Sequence, residues 1–246
     1  MDPKVAADVI AALAPAGRVR AAINFGNPVL AQADPATGEA RGVSVDIARE
    51  RGRRPGVGVD LVTFDAAGKV FAALEDGAWD VAFLAIDPKR AAEIDFTAPY
   101  VIIEGTYMVP AGSPLRTVDD VDRPGVRVAV GNGSAYDLYL SRTIRHAQLV
   151  RAPTGPAAIE MFLRDGLEVA AGVKSPLQTF ARGRADLRVM DGRFMAIEQA
   201  MGTPKGRAAG LRYLRGMIEE LKASGFVAER LARSGQRDAI VAPAAA

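Results

Sequence analysis

The chain's 246 residues, 49% hydrophobic and 24% charged, suit one large domain or two smaller lobes with real cores, and its net charge of +2 comes with arginines spread along the chain, not gathered in a stripe that would hold nucleic acid. The absence of cysteine and the single histidine, His146, exclude disulfides, thiolate metal sites, cysteine nucleophiles and any serine–histidine–aspartate triad not built on His146. No apolar run reaches the length of a membrane helix, so the chain is not expected to span a bilayer.

Residues 3–14 form an amphipathic pattern, but the mixed charges of Asp2 and Lys4 and the short apolar stretch behind them do not make a secretory leader. Either a signal has been removed or the chain stays in the cytoplasm. Residues 19–25 read as a first core strand, broken by Gly26-Asn27-Pro28. A polar, hairpin-like excursion over 35–42 leads to Gly42-Val43-Ser44-Val45-Asp46-Ile47-Ala48, where Asp46 suits a helix start. Pro55 should end that helix early. Residues 57–64 form the next strand and 66–74 a short helix with Val70, Phe71 and Leu74 on one face. The apolar run 81–86 is a buried strand that stops at Asp87-Pro88, with Arg90 at its C-terminal mouth. A guanidinium there offers a planar fork for a carboxylate, or else pairs with Asp87 or Glu93 on a solvated face. Strands alternating with helices argue for an α/β fold with a parallel sheet covered on both sides.

The long apolar run 100–110 carries Gly105 near its middle, and the polar segment 115–125 is a linker helix or turn. The pattern then restarts: a strand over 126–130, the loop Gly131-Asn132-Gly133-Ser134-Ala135-Tyr136, and a helix over 135–142. Tyr136 takes the third glycine position of a dinucleotide fingerprint and Leu149-Val150-Arg151 stands where its acid belongs, so no nucleotide cofactor is expected, nor any other. The loop is either a second grip on a carboxylate, through Ser134 and the N–H groups that follow Gly133, or a plain tight turn. His146 is expected on the surface between that helix and a strand over 147–151. A helix over 156–164 and a strand over 169–173 follow, the strand ending at Lys174-Ser175-Pro176. Segments 187–190 and 194–201 return toward Gly202-Thr203-Pro204-Lys205-Gly206, helices cover 207–221 and 226–233, and 242–246 is a frayed tail.

Taken in order, Asp87-Pro88-Lys89-Arg90, then Glu93-Ile94-Asp95-Phe96-Thr97-Ala98-Pro99-Tyr100, the 42–48 element and the Gly202–Gly206 re-entry resemble the bacterial extracellular solute-binding proteins of family 3, the amino-acid type. The resemblance implies a two-lobe periplasmic-binding-protein-like fold of type II, α/β, with two parallel or mixed sheets flanked by helices and joined by two crossing strands. Lobe one would be 1–108 with 195–246 and lobe two 109–194, the ligand lying between them. It implies that Arg90 clamps the ligand's carboxylate and that Asn24, Phe25, Asn27, Ala85, Asp87, Gly133, Ser134, Ala135 and Lys174 line the site. Asp87 stands where the family usually has threonine, and Ala85 where serine or threonine is common. Lys174 replaces the aspartate that amino-acid binders set against an ammonium, which favours an anionic ligand such as a dicarboxylate over a zwitterion.

Function by resemblance is solute capture for an ABC permease in the periplasm. One rival is an enzyme on the same fold, of the cyclohexadienyl dehydratase kind. Residues 174–179 lack the general acid that chemistry needs, leaving only Lys174 as a conceivable base. A sensor domain is the third reading.

Overall fold

The computed structural model describes residues 3–53 and 57–245. In chain order its elements are α1 (Pro3–Leu13), β1 (Val19–Asn24), β2 (Gln32–Ala33), β3 (Ala40–Arg41), α2 (Val43–Arg53), β4 (Val59–Phe64), α3 (Ala67–Ala72), β5 (Val81–Ala85), α4 (Pro88–Ala91) and β6 (Ile94–Pro110). There follow a 3-10 turn (Val118–Asp120), β7 (Arg127–Gly131), α5 (Ala135–Thr143), β8 (Gln148–Ala152), α6 (Gly155–Arg164), β9 (Val169–Val173) and α7 (Lys174–Ala181). The chain closes with β10 (Leu187–Val189), β11 (Met195–Pro204), α8 (Ala208–Ala223), α9 (Phe226–Arg233) and β12 (Ile240–Val241). It divides into two compact units, Met1–Ile102 with Glu198–Ala246, and Ile103–Ile197. The two long strands, β6 and β11, each contribute residues to both.

In the first unit the strands run β4, β1, β5, β11. β1 lies parallel to β4 (Val19 opposite Val59) and to β5 (Ala21 opposite Val81), while β11 returns antiparallel to β5 (Gln199 opposite Ala85). Every residue of β5 is buried, the run without alternation expected of a strand covered on both faces. Trp79, fully buried, packs with Ala22, Val70, Ala82, Leu84 and Ile94, and its indole N–H donates to Val70 O at 2.8 Å, so the polar end of the ring is satisfied inside the core. Asp80 is also fully buried. It accepts bonds from Arg20 Nε and Nη2, both at 3.0 Å, and from Arg207 Nη1 at 2.9 Å, so a charge taken out of water has cations on it from both segments of the unit. Burial pushes its pKa up, but the bonds from Arg20 and Arg207 outweigh that and hold the carboxyl below its ordinary value.

In the second unit β7 lies between β8 and β9, parallel to both, and β9 runs antiparallel to the second half of β6 (Gly105 opposite Val173). The period of two is visible in the cores: Val128 and Val130 join Tyr107, Val109 and Val169 on one face, while Ala129 joins Met108, Ala170, Phe162 and Leu177 on the other. The α/β class and the flanking helices expected from sequence are present.

Several elements differ from expectation. β6 begins at Ile94, so the Ile94–Tyr100 signature is itself strand. The 115–125 segment holds only one 3-10 turn. Residues from Lys174 continue as helix α7, because Pro176 sits in the first turn, where its missing N–H costs no helical bond. The tail is not frayed through Ala245: β12 pairs with β6, Ala242 is buried, Lys222 Nζ donates to Pro243 O at 2.7 Å and Ala245 N to Glu219 Oε2 at 3.1 Å. Pro55 lies outside the described residues, and α2 is helical as far as Arg53.

Candidate functional site

At the end of β5, Asp87 caps α4 by accepting from Lys89 N at 2.9 Å, and Pro88 opens the helix. That one turn swings Arg90 back against the strand. Its side chain is buried at 1% exposure and Nη1 donates to Ala85 O at 2.9 Å, so Ala85 contributes a carbonyl and not a side chain. Arg90 therefore does not sit on a solvated face. Desolvation lowers its pKa to about 10 while the Asp87 carboxylate opposes that, and the group remains a cation at neutral pH.

The turn after β1 holds the other candidates of this unit. Asn24 Oδ1 accepts from Gly26 N at 2.9 Å, and a Cβ on Gly26 would come within 2.5 Å of Asp65 O, so the turn needs glycine. Phe25 is half-buried, its N–H donating to Phe64 O at 2.8 Å. Asn27 is 8% exposed, and its buried Oδ1 has no hydrogen-bond partner among the described residues. An acceptor left that way is costly unless something donates to it.

In the second unit the glycine loop closes on itself. Gly133 takes φ +67°, its N–H donates to Asp137 Oδ2 at 2.8 Å, and Ser134 caps α5 by accepting from Asp137 N at 3.1 Å. Asp137 in turn accepts from Arg151 Nε at 3.0 Å. An internal carboxylate thus uses the Gly133 amide, and the Ser134 side chain serves both the α5 cap and the Tyr136 hydroxyl.

Lys174, the first residue of α7, is not a lone cation. Its Nζ donates to Glu104 Oε2 at 2.9 Å, and Arg193 Nη1 donates to Glu104 Oε1 at 3.1 Å. Lys174 first, then Arg193, hold the Glu104 carboxyl below its ordinary pKa against a smaller opposing push from burial. Glu104 and Arg193 were not among the residues expected from sequence. The signal for Glu104 was a single acid inside the apolar run 100–110; nothing local marks Arg193. His146 is exposed, as expected, its amide bonded to Asp122 Oδ1 at 2.7 Å.

The first unit also holds a cavity of about 310 Å³ lined by Pro28, Gln32, Arg41, Asp46, Arg230 and Arg233 among others. None of the expected ligand residues lines it. Asp46, in the first turn of α2, has its carboxylate 4.0 Å from Arg230 Nε. Among the described residues no group of three or more histidines, cysteines or acids could hold a metal ion, and no helix is long and apolar enough to cross a membrane.

This architecture is that of a solute-binding protein. The family model for bacterial extracellular solute-binding proteins, family 3, matches residues 22–235, and the chain belongs to that family. No curated protein matches it. Among solved structures it is similar to a mutant of ArgBP from T. maritima (TM-score 0.79, 21% identity, covering 93% of this chain and 100% of that one). It is also similar to AbpA, an amino acid ABC transporter substrate-binding protein from Streptococcus pneumoniae bound to L-arginine (TM-score 0.77, 18% identity, 91% and 96% covered). A histidine kinase sensor domain with similarity to periplasmic binding proteins matches equally well (TM-score 0.78, 21% identity, 92% and 98% covered). At these identities the likeness is one of fold. The family and most of these neighbours are substrate-binding proteins, not enzymes.

Proposed function

We propose that this protein captures a small carboxylate-bearing solute, an amino acid or an organic acid, for ABC-type uptake from the periplasm. The observation that carries the reading is Arg90, a desolvated guanidinium held at the end of β5 by Ala85 O. A cation in low dielectric attracts a carboxylate far more strongly than one in water, and the planar fork suits two oxygens. Asn24, Phe25, Asn27, Ala85 and Asp87 are the other proposed contacts of the first unit, and Gly133, Ser134, Ala135 and Lys174 those of the second. The unpartnered Oδ1 of Asn27 supports a donor on the ligand. The lobes we propose, 1–108 with 195–246 and 109–194, divide within β6 and at the start of β11, and the breaks between the compact units, within β6 and within β11, support that division.

ArgBP and AbpA take arginine, whose side chain is cationic. Two cations on one acid around Lys174 argue against the same choice here. The sensor-domain neighbour favours a second reading, in which the same capture serves signalling instead of uptake.

A thermal-shift screen of the purified chain against amino acids, dicarboxylates, keto acids and polyamines tests the proposal. Ligand at about 100 times its Kd adds about 2.7 kcal/mol, a rise of several degrees for a chain of this size. Stabilisation by carboxylates that disappears in Arg90→Ala supports capture; stabilisation by none of them overturns it.

A further inference from the structure

We propose that Arg193 and Lys174, held in place by Glu104, form a receptor for a second acidic group on the ligand, so that Arg193 determines preference for di-acids over mono-acids. This rests on the carboxylate-capture reading above and adds the ligand's charge class.

The cluster is built by strand register. Gly105 pairs with Val173 across β6 and β9, and one step further along that antiparallel register Glu104 stands opposite Lys174. On the other side Phe194 N donates to Gly105 O at 3.0 Å, which sets Arg193 beside Glu104 as well. Phe194 is itself fixed by Tyr107, ring centroids 4.4 Å apart, and by Tyr139 at 6.1 Å. Two cations therefore reach one carboxylate from two neighbouring segments that are both anchored to β6.

The arithmetic of charge and donors then decides what the cluster can receive. One acid and two bases leave a formal +1. Each cation gives one bond to Glu104, while an ammonium carries three N–H groups and a guanidinium five, so donors remain in excess. Both Glu104 oxygens are already engaged. An incoming ammonium would meet two cations whose shared acid already has both oxygens bonded; an incoming carboxylate would meet unused donors on both. Lys174 and Glu104 are each 30% exposed and Arg193 49%, so the donors are within reach of a ligand while Glu104 restrains them. In this arrangement Glu104 is a positioning residue.

The test uses the whole chain and calorimetric titration with pairs that differ by one acidic group: glutamate with glutamine, aspartate with asparagine, and succinate with butyrate. The wild-type chain is expected to prefer the di-acid of a pair. Arg193→Gln should weaken the di-acid about tenfold or more, leave the mono-acid within about twofold, and be partly rescued by Arg193→Lys. Lys174→Gln should act in the same sense. Because Arg193 is half exposed, these variants should melt within a few degrees of wild type, which separates lost recognition from lost fold. Equal weakening of both members of a pair, or weakening of neither, overturns the role of Arg193 and leaves carboxylate capture standing. A wild-type preference for the mono-acid overturns it in the same way. Binding of no member of any pair overturns both readings together.

Discussion

Arg207 Nη1 and Asp80 Oδ1, 127 residues apart in sequence, meet at 2.9 Å with the acid fully buried. Arg20, in β1 and 60 residues before Asp80, completes the cluster, so one carboxylate joins both chain segments of the first unit.

Asp80→Asn should therefore be among the more damaging single substitutions. It removes the anion and leaves two guanidinium groups facing a neutral amide. Breaking a buried, bonded pair costs about 3–5 kcal/mol, which lowers the melting temperature by about 6–20 °C at this chain length. Urea and thermal denaturation of the variant check this.

Acid should weaken the fold from about pH 4 downward. The carboxyls of Asp80, Glu104 and Glu168 are all held below their ordinary values. A carboxyl depressed in the folded state contributes stability that is fully present above its unfolded pKa and lost as pH falls through its folded pKa. These groups thus give no slope between about pH 6 and 8 and a falling one in acid. Denaturation midpoints across the pH range would show it, and Asp80→Asn should flatten the acid limb.

Glu104→Gln makes a contrast with Asp80→Asn. Its ion pairs are partly solvated, and such pairs are worth about 0–1 kcal/mol. Stability should barely change, while the looser Lys174 and Arg193 should bind a di-acid with altered affinity. A melt and a titration on the same sample separate the two effects.

Arg90→Lys should bind no carboxylate that Arg90→Ala has lost. Lysine brings a single charged point without the planar fork, and it cannot both satisfy Ala85 O and grip two oxygens. Thermal shift with whichever ligand stabilises the wild-type chain reads this directly.

The chain's single tryptophan gives an optical check on the core. Trp79 is fully buried, so its emission should be blue-shifted and poorly quenched by acrylamide in the folded chain, and red-shifted on unfolding. A quenching constant near that of free indole would contradict the packing described here.

Where local pattern decides structure, the sequence was enough. The β9 run 169–173, the α9 helix 226–233 and the strand–glycine–helix unit around Gly133 lie where periodicity and turn chemistry put them. Where the outcome depends on partners far along the chain, it was not. Two residues such as Ile240 and Val241 carry no local strand signal of their own, and β6 supplies the partner that makes them a strand. Arg90 could be seen at the mouth of β5, but whether it faced water or the core depended on how α4 packs. Lys174 looked unpaired because its counter-charge sits 70 residues earlier, and only the β6–β9 register brings Glu104 to it. Arg193 reaches the same acid from 89 residues away and had no local mark at all.

The division of the first unit into two chain segments has a bearing on synthesis. Residues 103–197 are contiguous, so the second unit has all its strands once that stretch has left the ribosome. The first unit does not. Its helix α1 packs on α8, where a Cβ on Gly210 would come within 2.5 Å of Leu13 Cδ2, and Asp80 waits for Arg207. Residues 1–102 must therefore remain unfinished, with their apolar face uncovered, until the 198–246 segment has also emerged. Translation should expose the N-terminal segment to chaperones and proteases for longer than the part made after it, reversing the usual order in which domains mature.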